Sequence, residues 1–373
     1  MVEDKLSSFE NSLINKYISL LLTEKDLRLL KLIFLQEPSQ QELDEFLSNY
    51  DIEAAGSYKV LLLSYFMKMH PQLKFTDYET PRLKGLLNFY RFQNMKLISY
   101  FMKIGQVFKE NHIQMMILKG LAIKHLRPDL PRAMGDIDVL VFGEDFIKAI
   151  KLCQKMGYRL SVEPHSVDIH EPSSEAGMMD IHRWNDMGNE RGHLLNEYLL
   201  KRAKPIKVGG LDVLIPSNED LLFLSLVNLS KNLFERTSKA ATLYVLFDCK
   251  FLLEQSGFDI KVVIENIKLT HTDEQVAFAI KFINTIIPNL IPKEIYNQKI
   301  FRKNSVKLLF KKYFKPLQIL ARSIKFKDIF CQKVSFLRYA KVKLHYKFCK
   351  FIVNKDFVAV KKCILERRMG AKR

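Results

Sequence analysis

The chain has few of the residues that mark secreted or disulfide-stabilised proteins. Among its 373 residues there are five cysteines, which are Cys153, Cys249, Cys331, Cys349 and Cys363. No two of them form a Cys-x-x-Cys pair, and an odd number of widely spaced thiols argues against a disulfide framework or a zinc site. The first ten residues, MVEDKLSSFE, carry acids and no apolar segment, so we expect no secretory signal. These features together predict a cytoplasmic, reduced protein.

Long apolar runs are also absent. The longest, Leu221–Leu229, is too short to cross a bilayer and is typical of a buried helix. The overall composition, with 48% hydrophobic and 27% charged residues, is ordinary for a folded protein. The length is sufficient for two or three domains that each bury a core.

The basic charge is confined to one end of the chain. Residues 299–373 contain 23 lysines and arginines and three acids, whereas the preceding residues contain 36 bases and 38 acids. Such an asymmetry indicates a segment that meets an anionic partner. Lysines and arginines are interleaved with aromatic residues there, which suits a basic amphipathic helix on anionic lipid or an RNA-binding arm. A solvated helical extension is the third interpretation.

Hydrophobic periodicity divides the rest of the chain into three parts. Residues 1–110 have helical spacing, including a long stretch from Pro81 to Lys109. The core positions predicted for that stretch are Leu86, Phe89, Phe92, Leu97 and Phe101. Short apolar runs alternate with helical segments in residues 111–215, and helices resume over residues 216–298, where Ser217 and Asp220 have the spacing of an N-cap.

The predicted fold class is therefore α+β. A small mixed β-sheet core is expected in residues 111–215, with helical regions on both sides of it and a basic helical tail over residues 299–373. Within the core, Ile113–Leu118 and Ile137–Phe142 are predicted strands. Val167–His170 and Met178–Trp184 are predicted to form a hairpin around the turn-rich segment PSSEAG.

One segment of this core carries residues suited to chemistry. A Lys119-Gly120 turn is followed sixteen residues after the glycine by Asp136 and then Asp138, at the start of an apolar strand. Side chains two apart on a strand share a face, so the two carboxylates are expected to project together. Their mutual repulsion is relieved by a cation, and paired carboxylates suit Mg²⁺. The turn before a helix start would offer free N–H groups to a phosphate.

These motifs resemble those of a known family, the polymerase-β-type nucleotidyltransferases, and most closely the bacterial group called uncharacterised nucleotidyltransferases. The similarity spans roughly Ile113 to Leu253. The motifs that carry it are Leu118-Lys119-Gly120, Arg132-Ala133-Met134-Gly135-Asp136-Ile137-Asp138, Asp180-Ile181-His182-Arg183-Trp184 and Ile215-Pro216-Ser217-Asn218-Glu219-Asp220-Leu221-Leu222.

The resemblance implies metal-dependent transfer of a nucleotidyl group from an NTP to a hydroxyl or phosphate acceptor. It implies Mg²⁺ or Mn²⁺ held by Asp136, Asp138 and Asp180, which would also be the catalytic residues. We expect a neighbouring antiparallel strand to bring Asp180 beside the paired acids. Nucleotide-binding candidates are Lys119, Gly120 and Arg132, and His170 and His182 are candidates for orienting the carboxylates. Because the family is often found with polysaccharide biosynthesis genes, the resemblance favours an anionic membrane surface over RNA as the partner of residues 299–373, and a location on the inner face of the membrane.

Two alternatives remain open at this level. The repeated Asp-Ile-His at residues 168–170 and 180–182 allows a transition-metal site for a metallohydrolase, built from His165, His170, Asp180 and His182. A catalytically silent binding module that associates with membrane or RNA is the other. The intact Asp136, Asp138 and Asp180 favour activity over that second alternative.

Overall fold

The structure, a computed structural model, describes residues 14–15, 18–19, 21–35, 37–130, 132–171, 177–187, 190–235 and 239–296. The predicted basic tail, residues 299–373, and most of the PSSEAG segment lie outside the described residues. No helix in these described ranges is both long and apolar enough to span a membrane.

Helices flank a central group of strands, which confirms the predicted α+β class. The helices before the sheet are α1 (Glu24–Ile33), α2 (Gln40–Ser48), α3 (Ser57–Met69) and α4 (Glu79–Glu110). The next elements are β1 (Met115–Ile117), α5 (Lys119–Leu126), β2 (Ile137–Val141), α6 (Asp145–Lys155), β3 (Arg159–Val162), β4 (Ser166–His170) and β5 (Gly177–His182). A 3₁₀ turn (Glu190–Leu194) leads to α7 (Leu195–Arg202), β6 (Lys204–Val208) and β7 (Leu211–Ile215).

The helices after the sheet are α8 (Asn218–Glu235), α9 (Lys239–Leu253), α10 (Ile260–Thr270), α11 (Asp273–Ile286) and α12 (Lys293–Tyr296). The capping pattern read from the sequence is present at the start of α8, where the Asp220 amide donates to Ser217 Oγ at 3.2 Å. The three later helices α9, α10 and α11 pack against α8. The division into separate domains stays a prediction, although every described strand lies between Met115 and Ile215.

The seven strands form one mixed sheet in the order β3-β4-β5-β2-β1-β7-β6. Strand β2 is central and buried along its whole length, as expected for the apolar, β-branched sequence IDVLV. Helices α4 and α6 pack against β2 and β5, and α5 packs against β2 and α8. A charged residue in such a strand is costly unless it is paired, which makes Asp138 the informative position.

The pairing of β2 and β5 corrects one expectation. We expected an antiparallel neighbour to bring Asp180 beside the paired acids, but β2 and β5 are parallel. The reason is the connection between them: helix α6 and the β3-β4 pair separate the two strands, and a crossover of that kind returns the chain in the same direction. The predicted hairpin of β4 and β5 is confirmed, because those two strands are antiparallel.

Two of the core positions predicted on α4 are wrong. Phe101 is fully buried and Leu86 and Leu97 are half-buried, but Phe89 is 53% exposed and Phe92 is 65% exposed. Apolar residues occur on more than one face of this long helix, so their spacing alone did not determine which face is buried. Phe92 lies nine residues before Phe101, and this distance is about two and a half helical turns, which places the two side chains on opposite sides of the helix.

Candidate functional site

Two carboxylates meet at the centre of the sheet. Asp138 of β2 and Asp180 of β5 are direct register partners on neighbouring strands, so their side chains lie on the same face. Asp138 is 8% exposed, and the Asp180 side chain is 13% exposed. The structure therefore places Asp138, the second acid of the Asp-x-Asp motif, beside Asp180 of the later motif.

A histidine lies between these two acids. His182 follows Asp180 by two residues on β5 and so shares its face. Its Nε2 is 2.9 Å from Asp138 Oδ1 and 3.0 Å from Asp180 Oδ2. Burial and the Lys119 ammonium oppose a positive charge on this ring, but Asp180 and the hydrogen bonds to both carboxylates outweigh them and raise the pKa of His182 to about 9.

Lys119 supplies the second positive charge. It starts α5 directly after β1, with a positive φ of 43°, a conformation that bulky residues seldom adopt and that is often found at functional positions. Its Nζ contacts Asp138 Oδ1 at 2.5 Å. Burial alone would lower the pKa of Lys119, but attraction to Asp138 raises it above its usual value. Lys119 thus faces the carboxylates in its charged form.

The acids of this cluster differ in their readiness to ionise. Burial would raise the pKa of Asp138, but Lys119 and His182 lower it below the usual range. The pKa of Asp180 is also lowered, because His182 outweighs the effect of burial. Asp136 precedes β2 and keeps contact with solvent, yet the protein around its carboxylate and repulsion from Asp138 raise its pKa to about 6.

A further acid was not singled out from the sequence. Asp168 on β4 is the register partner of Asp180, so Asp138, Asp180 and Asp168 form a row across three neighbouring strands. Burial and repulsion from Asp180 raise the pKa of Asp168 to about 6. The sequence signal that could have identified Asp168 is the repeated Asp-Ile-His, in which Asp168 and Asp180 occupy the same position.

One group of side chains has the arrangement of a metal site. Asp138, Asp180 and His182 each place one ligand atom within 4.8 Å of the other two. Asp180 Oδ1 and His182 Nδ1 are buried atoms without a hydrogen-bond partner among the residues that the structure describes. Asp136, predicted as a metal ligand, is not a member of this group of described residues, although it interacts electrostatically with Asp138 and Lys119.

The remaining nucleotide-binding candidates lie beside the start of α5. A Cβ on Gly120 would come within 3.3 Å of Arg132 Nε, so the Arg132 side chain lies against the glycine backbone. The Arg132 guanidinium is ion-paired with Asp248, a fully buried acid on α9. Asn94 of α4 holds the same loop, donating to the Arg132 carbonyl at 2.7 Å and accepting from the Met134 amide at 3.1 Å.

The histidines of the rival metallohydrolase site are only partly assembled. The His165 ring centroid is 5.7 Å from that of His182, and burial lowers the pKa of His165 to about 4. His170 lies at a register irregularity of β4, opposite Gly177 rather than Asp180. Within the described residues, neither His165 nor His170 belongs to the three-atom group of Asp138, Asp180 and His182.

The match to a protein family agrees with the sequence resemblance. A family described as uncharacterised nucleotidyltransferase matches residues 68–288. A comparison with curated proteins finds no match. Among solved structures, an antigenic nucleotidyltransferase-like protein from Paracoccidioides brasiliensis is similar, with 15% identity and a TM-score of 0.30 over 46% of this chain and 87% of that chain. A similarity as low as this last one carries no argument about function.

Proposed function

Because the chain belongs to the uncharacterised nucleotidyltransferase family, we propose that it transfers a nucleotidyl group from an NTP to a hydroxyl or phosphate acceptor in a reaction that depends on Mg²⁺ or Mn²⁺. The observation that carries this proposal is the group of Asp138, Asp180 and His182, whose ligand atoms lie within 4.8 Å of one another. It lies on the sheet face beside Lys119, the residue that begins α5.

The residues present fit a divalent cation. Asp138 and Asp180 supply the hard oxygen atoms that Mg²⁺ and Mn²⁺ prefer. Asp180 Oδ1 is a buried carboxylate oxygen without a partner among the described residues, and such an atom is costly unless a ligand satisfies it. The solvent-exposed Asp136 would complete the set from the rim of the site. When bound, the metal would supply charge neutralisation for the triphosphate and a lower pKa for the attacking hydroxyl.

Lys119, Gly120 and Arg132 are proposed to hold the triphosphate. The first amides of α5 have no side-chain cap, and phosphate oxygens are suitable acceptors for such N–H groups. Gly120 has no side chain, so a phosphate could approach its backbone closely. The Arg132 side chain lies next to the position that a Cβ on Gly120 would occupy. Asp248 and Asn94 fix the position of the Arg132 loop, so this cation would be oriented before the nucleotide arrives.

Asp180 is proposed to act on the acceptor. Its Oδ2 is held by His182, whereas Oδ1 has no partner among the described residues and would hold the ion that lowers the pKa of the incoming hydroxyl. If this role is right, Asp180→Asn keeps most of the affinity for the NTP but loses turnover, because the contribution appears chiefly in the transition state. An equal loss of NTP binding and of rate would instead make Asp180 a ground-state ligand.

The activity test uses NTPs labelled at the α-phosphate. Full-length protein is incubated with each NTP, with Mg²⁺ or Mn²⁺, and with a cell lysate as a source of acceptors. Label should pass to a lysate component with the wild-type protein and not with Asp138→Asn, and separation of the products would identify the acceptor and test the link to polysaccharide biosynthesis. Label transfer that is equal in the two proteins would refute the proposal. Binding of NTP without any transfer would favour a catalytically silent module.

The basic segment supports a proposal about location. Residues 299–373 carry nearly all of the excess positive charge, and each lysine or arginine near an anionic membrane contributes on the order of 1 kcal/mol. We expect full-length protein to sediment with vesicles that contain acidic lipid. Added salt should release it, because salt screens the attraction between charges that are farther apart than a Debye length, which is about 8 Å at physiological ionic strength. Protein that ignores such vesicles at low salt but retains RNA on a filter would favour an RNA partner instead.

A further inference from the structure

The position of His182 Nε2 has a consequence for the metal site. This atom is 2.9 Å from Asp138 Oδ1 and 3.0 Å from Asp180 Oδ2. Adjacent ligand atoms of an octahedral site with bonds of about 2.1 Å are separated by about 3.0 Å. The nitrogen therefore already lies at the separation from each carboxylate oxygen that neighbouring ligands of one metal ion require.

We propose that His182 binds the metal ion directly through Nε2, together with one oxygen of Asp138 and one of Asp180, rather than only orienting those carboxylates. The ion takes the place of the Nε2 proton that is hydrogen-bonded to the two carboxylates, and this proton is released to solvent. This inference rests on the proposed metal-dependent function and assigns a ligand to its site. The third member of the observed group is His182 and not Asp136, so within the described residues the nitrogen replaces the third oxygen that an all-carboxylate site would use.

The nitrogen ligand predicts which metal the site prefers. Imidazole suits transition metals, whereas Mg²⁺ favours oxygen ligands, and Mn²⁺ accepts both kinds. A site with two carboxylates and one imidazole should therefore prefer Mn²⁺ over Mg²⁺ more strongly than the same site with three carboxylates. Replacing His182 by aspartate converts one type of site into the other.

Packing holds the ring in this position. His182 is only 2% exposed, and the ring of His165 lies beside it with centroids 5.7 Å apart. Unlike most metal-binding histidines, its second nitrogen, Nδ1, has no hydrogen-bond partner among the described residues. The orientation of the ring thus depends on its neighbours in the sheet, and His165, which is not in the ligand group, is the matched control.

Pulsed electron paramagnetic resonance of bound Mn²⁺ tests the ligand without measuring activity. Full-length wild-type protein with Mn²⁺ should show a nitrogen hyperfine coupling that changes when histidine is labelled with ¹⁵N. His165→Gln should keep this coupling, and His182→Gln should lose it and bind Mn²⁺ about tenfold or more weakly. His182→Asp should bind both metals, with a lower ratio of Mn²⁺ to Mg²⁺ affinity than the wild type.

The outcomes separate this inference from the proposed function. Mn²⁺ that binds to wild-type protein without a histidine nitrogen coupling, or a coupling that persists in His182→Gln, would overturn the direct ligand role and leave metal dependence intact. A wild-type protein that binds no Mn²⁺ would overturn both. Circular dichroism of each variant establishes that a lost signal is not a lost fold, and His182→Asp provides an independent result if His182→Gln does not fold.

Discussion

Asp138 and Asp220 are both buried aspartates with a basic partner, but their surroundings are opposite. Asp220, on α8, is fully buried and accepts hydrogen bonds from Arg202 at 2.7 and 3.1 Å. The Asn266 amide donates to its Oδ1 at 2.8 Å, and the Ser217 hydroxyl lies 2.9 Å from its Oδ2. Arg202 also pairs with the half-exposed Glu265 at 3.1 Å, and both oxygens of Asp220 have donors.

The surroundings of Asp138 leave a negative excess instead. Lys119 and His182 contact it, yet Asp136 and Asp180 interact with both of these cations, and Asp168 adds a further carboxylate beside Asp180 and His182. Asp180 Oδ1 also has no hydrogen-bond partner among the described residues. A buried charge is retained at a cost unless it is balanced. The comparison teaches that the Asp220 cluster is satisfied by its own hydrogen bonds and ion pairs, whereas the Asp138 cluster keeps an excess of negative charge that a bound cation would balance.

The largest expected effect is on catalysis at the unbalanced cluster. Asp138→Asn should reduce nucleotidyl transfer by about 10³-fold or more, because it removes a charge that the transition state needs. The fold should be kept, because Asp136 and Asp180 remain as carboxylate partners of Lys119, and Asp180 remains as a partner of His182. Steady-state transfer rates and a thermal melt of the same preparation measure both properties. A variant with the wild-type rate would place the chemistry elsewhere.

The same substitution at the balanced cluster should act on stability. Asp220→Asn leaves Arg202 with only the half-exposed Glu265 as a charged partner, and breaking a buried ion pair typically costs about 3 kcal/mol or more. Urea denaturation measures this loss. The matched control is Asp212→Asn, because Asp212 is 62% exposed and its lysine partners are 3.7 and 3.8 Å away, so its loss should be about 0–1 kcal/mol. Similar losses for the two variants would remove the distinction between the clusters.

Metal addition should stabilise the protein only through the Asp138 cluster. At a Mn²⁺ concentration 100 times the Kd, a ligand that binds the folded state alone adds about 2.7 kcal/mol. Wild type and Asp220→Asn should both show this gain in a thermal melt, and a chelator should reverse it, while Asp138→Asn should show none. Trp184 is the only tryptophan and lies two residues beyond His182, so its fluorescence gives a second measurement. Equal stabilisation of Asp138→Asn would contradict the site.

The smallest expected effect concerns the buried thiols. Burial raises the pKa of Cys153 to about 12 and raises that of Cys249 as well, so neither should react with a thiol reagent while the protein is folded. In a chain whose other three cysteines are replaced by serine, Asp220→Asn should react faster than wild type because unfolding is more frequent. Asp138→Asn should react at the wild-type rate. Faster reaction of Asp138→Asn would indicate that its cluster also supports the fold.

Local patterns of the sequence were sufficient for several elements. The N-cap of Ser217, the β4-β5 hairpin and the strand carrying Asp138 depend on residues close together in the chain, and all three are present. The long helix α4 shows the limit of such patterns. Periodicity predicted the helix, but the choice of Phe89 and Phe92 as core positions was wrong, because the buried face depends on what the rest of the chain places against it.

The sequence by itself thus determined the α+β class and the family, through motifs that lie within a few residues of one another. Only the tertiary structure decided how those motifs meet. The parallel register of β2 and β5 places Asp138 opposite Asp180, and β4 adds Asp168 to the row. Arg132 pairs with Asp248, a residue 116 positions away. Such contacts depend on strand order and packing, because the chain must close a long loop before either partner can be recognised.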